Sequence, residues 1–299
     1  GDLVEVASPG GVGAVGNGTS LSIGTDPAGR TTSMAYDFAS GADVTDTVVR
    51  SQSGRVLRGV LTEASNPSTF TYSYDAAGRL VGASIPGHEL AYSFAAQAGC
   101  PAGAVVGAGS NGNRTKVTDT HGGVSTSMVS CYDGADRLVA TTVTDPYGGA
   151  SPVSGTNLNQ ATGTLGYDAH GNTTTLADQT LTFDVANRHV STIVSGGPGG
   201  PVAVTYTRDA TDRIVARAAS GEPEVRYAFT GATDTPDLVL DATGAVLERT
   251  LALPGGVVVS LPTTGVASWA YANIHGDLVA TADASGARTG ALSMYDPFG

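Results

Sequence analysis

The sequence predicts an all-β protein made of extended antiparallel β-hairpin repeats. Three observations carry this prediction: a strand-and-turn composition, an acidic turn signature that recurs along the chain, and alternating apolar residues on both sides of each turn. Gly supplies 42 of the 299 residues, charged residues only 14%, and Thr, Val, Ser and Ala fill most of the rest. β-Branched residues fit a pleated strand, whereas the straight-chain helix formers are sparse. A hydrophobic content of 40% with regularly spaced aromatics identifies a folded chain rather than a low-complexity one. The length admits two average domains or one long all-β unit.

The net charge is −12 and Lys116 is the only lysine, so no basic stripe is available to neutralise a phosphate backbone. Nucleic acid is therefore excluded as an expected partner. No apolar run reaches the roughly 18 to 20 residues that cross a bilayer. Residues Gly1 to Gly16 lack a basic segment followed by an apolar core, and are expected to lie downstream of any export signal.

The recurring signature is Asp followed three positions later by Gly, Asn or Asp. It occurs at Asp26–Gly29, Asp75–Gly78, Asp119–Gly122, Asp133–Asp136, Asp145–Gly148 and Asp168–Gly171. It continues at Asp184–Asn187, Asp209–Asp212, Asp241–Gly244, Asp283–Gly286 and Asp296–Gly299. A carboxylate at the first position of a type I turn accepts backbone N–H groups, and the fourth position favours residues that tolerate positive φ. Pro27, Pro146 and Pro297 follow the Asp directly, where a fixed φ suits the turn.

Strands flank these turns. Phe70, Tyr72 and Tyr74 alternate before Asp75, and Arg79-Leu80-Val81 follow it. Ser130-Cys131-Tyr132 precede Asp133, with Arg137-Leu138-Val139 after it; Thr180 to Phe183 lead to Asp184, and Val202 to Thr207 lead to Asp209. Each unit reads as a hairpin with a four-residue loop or a bulge. The aromatic before the turn is expected to pack across the sheet, with the Arg after it lying over that ring or pairing with an Asp.

Tyr74-Asp75-Ala76-Ala77-Gly78-Arg79-Leu80, Tyr132-Asp133-Gly134-Ala135-Asp136-Arg137-Leu138 and Tyr167-Asp168-Ala169-His170-Gly171-Asn172 resemble the YD repeat of RHS proteins, insecticidal toxin-complex shells and teneurins. His275-Gly276-Asp277-Leu278-Val279 together with Tyr295-Asp296-Pro297-Phe298-Gly299 resembles the opening of the RHS-associated core region. The usage of Arg and Ala with almost no Lys is similar in style to a high-GC actinobacterium. The resemblance implies a spiralling β-shell around a C-terminal toxin or effector. It also implies that the family's self-cleaving aspartyl site and the cargo lie downstream of Gly299. Residues 1–25 are expected to form a linker or edge segment and 26–299 the repeat shell, with 265–299 beginning the core region. Tyr36-Asp37 departs from the pattern: Phe38-Ala39-Ser40-Gly41 is one residue too long for the usual turn.

Candidate chemistry is sparse. Gly11, Gly13 and Gly16 match a dinucleotide-binding spacing but lack the following helix, and read as a flexible linker. His88, His121, His170, His189 and His275 are dispersed without zinc-site spacing, and His121 and His170 read as exposed inner turn residues. His275 with Asp277 is the most catalytic-looking pair, weighed against a structural hydrogen bond. Cys100 and Cys131 are compatible with buried free thiols or with a disulfide. The disulfide is preferred, because a secreted context favours it and closing a loop of about 30 residues stabilises by roughly 3 to 4 kcal/mol.

The expectation is thus a structural wall segment, secreted or at the cell surface, that encloses an effector and has no catalysis, cofactor or metal. Its partners would be the rest of its own shell and the enclosed effector, with cell-surface glycans or proteins as further candidates. The alternatives are an adhesive or glycan-binding β module and a degradative enzyme on a β scaffold.

Overall fold

The computed structural model describes residues 4–8, 16–145, 155–197 and 199–299. Gly11 and Gly13 of the glycine pattern, and Pro146 and Gly148 of the turn beginning at Asp145, lie outside the described residues.

The fold is all-β. The first sheet has 11 strands in the order β1 (Glu5–Ala7), β2 (Ser20–Thr25), β3 (Thr31–Asp37), β4 (Val44–Arg50), β5 (Val56–Glu63), β6 (Asn66–Tyr74), β7 (Leu80–Ile85), β8 (His88–Ser93), β9 (Lys116–His121), β10 (Val124–Tyr132) and β11 (Leu138–Thr144). The second has 13, beginning with β12 (Leu165–Tyr167), β13 (Thr173–Leu176), β14 (Gln179–Phe183), β15 (His189–Val194), β16 (Val202–Arg208) and β17 (Ile214–Ala219). It continues with β18 (Val225–Ala228), β19 (Leu238–Asp241), β20 (Val246–Ala252), β21 (Val258–Pro262), β22 (Ser268–Ala272), β23 (Leu278–Asp283) and β24 (Arg288–Thr289). Order in space equals order in the chain, and neighbouring strands pair antiparallel. β1 and β2 extend the first sheet at its edge.

Two kinds of reversal build the ribbon. Asp-type turns join β2 to β3, β6 to β7, β10 to β11, β12 to β13, β14 to β15 and β16 to β17, and so lie along one edge. In each, the register shifts at the residue before the Asp, as at Ser73/Tyr74 and Cys131/Tyr132. The extra residue is a bulge, which bends the strand and increases its twist. Opposite them run two-residue turns, for example Pro86-Gly87 and Gly122-Gly123, whose glycines take positive φ. Asp241 and Asp283 turn the chain on this second edge.

The structure corrects two sequence expectations. Asp119 is not a turn former: Gly122 (φ 56°) and Gly123 (φ 81°) supply a tighter reversal, so β9 continues through Asp119, which lies opposite Thr126 and is fully buried. His121 accordingly ends a strand instead of occupying a turn, and its ring stacks on His88 at 4.7 Å. The five histidines are dispersed in sequence, yet these two meet in space because β8 pairs with β9. Two further turns have no Asp at their first position. Ser51 and Asn273 stand there, and the N–H of Gly54 and Gly276 donates to their carbonyls at 2.9 and 3.1 Å.

Cys100 and Cys131 form a disulfide with a Cα–Cα distance of 5.7 Å. It ties the long connection between β8 and β9 to β10, where Cys131 packs with Val139, Ala140 and Ala104. The main core lies elsewhere. Leu21, Met34, Tyr36, Val44, Leu61 and Phe70, from β2 to β6, pack against Val259, Trp269, Tyr271, Val279 and Ala282 from β21 to β23. The chain therefore curls back so that its last strands cover one face of its first.

Candidate functional site

The repeat motif is a clamp. In the Asp75 unit, the backbone N–H of Arg79 donates to Asp75 Oδ1 at 2.9 Å, while Arg79 Nε and Nη2 reach Oδ2 at 2.8 and 2.7 Å. Asp133 with Arg137 and Asp184 with Arg188 repeat these contacts, as do Asp26 with Arg30 and Asp209 with Arg213. In the Asp168 unit, Asn172 replaces the Arg and its amide donates to Oδ2 at 2.8 Å. Gly78 and Gly171 occupy the fourth position at φ 82° and 89°, and Asp136 adopts φ 60°. Asp296 begins the same turn, with Pro297 after it and the Gly299 N–H donating to its carbonyl at 3.2 Å.

These hydrogen bonds favour the carboxylate form. The backbone N–H of Arg30 and of Arg79 chiefly holds Asp26 and Asp75 below the usual carboxylate range. The side chains of Arg188 and Asn172 do so for Asp184 and Asp168. For Asp209, Asp241 and Asp283 the leading cause is a hydroxyl two residues on, from Thr211, Thr243 and Ser285.

The Arg side chain does not lie over the ring of its own unit. It lies over the ring of the next: Arg55 over Tyr74 at 5.8 Å, Arg79 over Phe94 at 4.2 Å, Arg137 over Tyr167 at 5.5 Å and Arg213 over Phe229 at 4.5 Å. The Tyr hydroxyl reaches back. Tyr74 donates to the carbonyl of Val56 at 2.9 Å, Tyr167 to Leu138 at 3.0 Å and Tyr295 to Leu278 at 2.7 Å. Tyr132 donates to Arg114 at 3.1 Å. Asp and Arg thus set one turn, while Arg and Tyr attach that turn to its successor.

The second functional feature is the closing contact. Asn17, 1% exposed, donates to the Tyr271 hydroxyl at 2.9 Å and to the Asp283 carbonyl at 3.2 Å. Tyr36 donates to the Ala272 carbonyl at 2.8 Å, and burial pushes its hydroxyl well above the usual phenol range. The loop after Tyr36-Asp37, too long for the usual turn, receives the far end of the chain. Ser40 pairs with Ala287, and Arg288 lies over Phe38 and bonds Glu63 at 3.0 Å. Phe298 packs edge-on against Tyr92, with Arg114 over both rings.

Between the two layers lies a cleft of about 290 Å³. The first sheet contributes Asp46, Leu61, Phe70, Tyr72 and Tyr74; the β22–β23 turn and the tail contribute His275, Asp277, Tyr295 and Asp296. Asp46, on the inward face of β4, accepts the Ile274 N–H at 2.7 Å, and burial raises its pKa. His275 Nδ1 lies 3.1 Å from Asp277 Oδ2, but the imidazole is exposed and the same oxygen accepts the Asn273 amide at 3.2 Å. Asn273 Oδ1 in turn accepts the N–H groups of Gly276 and Asp277. This pair belongs to a turn in which Asn takes the place of Asp. Among the described residues, no group of three or more His, Cys, Asp or Glu side chains is placed to hold a metal ion. No described helix is long and apolar enough to cross a membrane.

No family model matches the chain. The tRNA3(Ser)-specific nuclease WapA of Bacillus spizizenii is 28% identical over 173 residues, which is 56% of this chain and 7% of that protein. The crystal structure of TcdB2-TccC3-Cdc42 superposes on 91% of this chain and 14% of its own, with 15% identity and a TM-score of 0.54. The chain thus spans only a small part of the length of both. In its turns the chain resembles the YD repeat, and its extended all-β hairpin fold is similar to that of the TcdB2-TccC3-Cdc42 structure.

Proposed function

We propose that the chain is a wall segment of a secreted RHS/YD-repeat shell that encloses a C-terminal toxin or effector, and that it performs no catalysis itself. The observation that carries this reading is the architecture: hairpins paired strictly in chain order, bulged mainly along one edge, and curled until the last strands cover the first. A ribbon stitched only between neighbours can be lengthened unit by unit. A bulge repeated on one edge gives it curvature. In this reading residues 26–299 form the wall, 265–299 begin the core region, and the motif residues described above are its joints. The wall's partners are the remainder of its own shell and the enclosed effector. The fold likeness to TcdB2-TccC3-Cdc42 and the partial sequence likeness to WapA support the assignment. The Cys100–Cys131 disulfide fits a secreted setting.

The test uses the full-length parent. Electron microscopy is expected to show a closed hollow particle, and limited proteolysis to spare the C-terminal segment until the particle is unfolded. An open strip with an immediately digestible C-terminal segment overturns the proposal.

A further inference from the structure

The cleft between the inner face of β4–β7 and the β22–β23 turn has a chemistry that wall-building does not require. At about 290 Å³ it approaches the lower size of small-molecule sites. Leu61, Phe70 and Tyr72 give it an apolar and aromatic lining. The carboxylates of Asp46 and Asp277 line it as well. Arg50 also borders it, but its guanidinium is held by the carbonyls of Thr31 and Gly54 at 3.1 to 3.3 Å. Among the described residues, the Tyr72 hydroxyl has no hydrogen-bond partner. Burial first, then the nearby Tyr74, Asp46 and Asp277, push its pKa up to about 12. A half-enclosed space with aromatic walls, lined by three carboxylates, Asp46, Asp277 and Asp296, against the single guanidinium of Arg50, attracts a cation that also has apolar surface. The ligand set for an inorganic ion is missing among the described residues.

We propose that this cleft binds an organic cation, an amine or guanidinium carried on an alkyl chain, with Asp46 and Asp277 facing the charge and Tyr72 against the chain. The ligand is either the Lys or Arg side chain of a polypeptide or a free alkylamine. The site rests on the cleft itself and is independent of the wall reading.

The test titrates the 299-residue chain with n-butylguanidinium and with its neutral isostere n-butylurea, by calorimetry and by nuclear magnetic resonance shifts of tyrosine ring protons. Saturable binding of the cation, about tenfold or more tighter than the urea, is expected. N-acetyl-arginine methylamide and cadaverine then separate the two sources, the tighter binder naming the class. Gly59→Val fills the cleft without touching its charges, since a Cβ there meets only Phe70 Cβ at 3.8 Å and the Thr47 carbonyl at 3.9 Å. It is expected to abolish binding while leaving the urea unfolding midpoint in place. Tyr72→Phe, a milder change, is expected to weaken binding severalfold. Equal affinity for cation and urea, no saturable binding, or undiminished binding in both variants overturns the proposal.

Discussion

Replacing Tyr271 with Phe removes one oxygen from the contact that closes the molecule. That hydroxyl accepts from Asn17 Nδ2 at 2.9 Å and lies 3.1 Å from Thr19 Oγ1, across 254 and 252 residues of chain. Asn17, Thr19 and Tyr271 are 1%, 5% and 1% exposed, so water cannot substitute for the lost oxygen. Each buried hydrogen bond is worth roughly 1 kcal/mol net. Neither partner is left entirely unsatisfied, because Asn17 Nδ2 keeps the Asp283 carbonyl and Thr19 Oγ1 keeps Asn17 Oδ1 at 2.8 Å. The expected loss is therefore about 1.5 to 2 kcal/mol, without the further penalty of an orphaned group. Urea unfolding followed by the emission of Trp269, the only tryptophan and itself part of the closing core, measures it directly. Combined with Asn17→Ala, the two changes are expected to be non-additive by about 1 kcal/mol. A loss below about 0.5 kcal/mol, or simple additivity, shows that the first and last strands are not joined through this contact and refutes the reasoning.

Other consequences are more local. Reducing Cys100–Cys131, 31 residues apart, is expected to cost about 3 to 4 kcal/mol, seen as a lower urea midpoint in dithiothreitol. Ala64 sits at φ 52° in a two-residue turn, so Ala64→Gly is expected to raise stability by about 0.5 to 1 kcal/mol; no gain in the midpoint contradicts the turn geometry. The clamped aspartates have folded pKa values below their unfolded ones. Their stabilisation is present above about pH 4 and is lost as pH falls through the folded values, giving a steep decline in the midpoint between about pH 4 and pH 2. Asp46, raised by burial, acts in the opposite sense: its contribution is present below the unfolded pKa and is lost as pH rises through the folded value. Asp46→Asn is therefore expected to remove that fall, leaving stability flatter above about pH 4, measured as the pH dependence of the same midpoint.

The turns were readable because their chemistry is local. An acceptor at one position and a residue tolerant of positive φ three positions later specify the reversal whatever surrounds it, and Asp75 to Gly78 needs nothing else. Asp119 to Gly122 carries the same letters, yet Gly122-Gly123 offers a competing tighter turn, and cross-strand pairing with Thr126 takes the Asp into the sheet. Ser51 and Asn273 fall outside the Asp signature for the converse reason. Their side chains are acceptors too, and a search for any short acceptor three residues before a Gly would have found both. The Arg-to-ring contacts and the closing core were illegible in principle. Alternation in β4 and β22 says that a face is buried but not against what, and the partner of Tyr36 lies 236 residues away. The same holds for His88 and His121, which only the pairing of β8 with β9 brings together.

The attachment of Arg79, Arg137 and Arg213 to the following ring gives the ribbon a direction. A hairpin emerging from the ribosome carries its guanidinium already fixed by its own Asp, and so presents a finished docking surface to a neighbour that does not yet exist. The aromatic that completes it arrives with the next stretch of polypeptide, as Phe94 does for Arg79 and Tyr167 for Arg137. Each such joint therefore points from the amino-terminal unit toward the carboxy-terminal one.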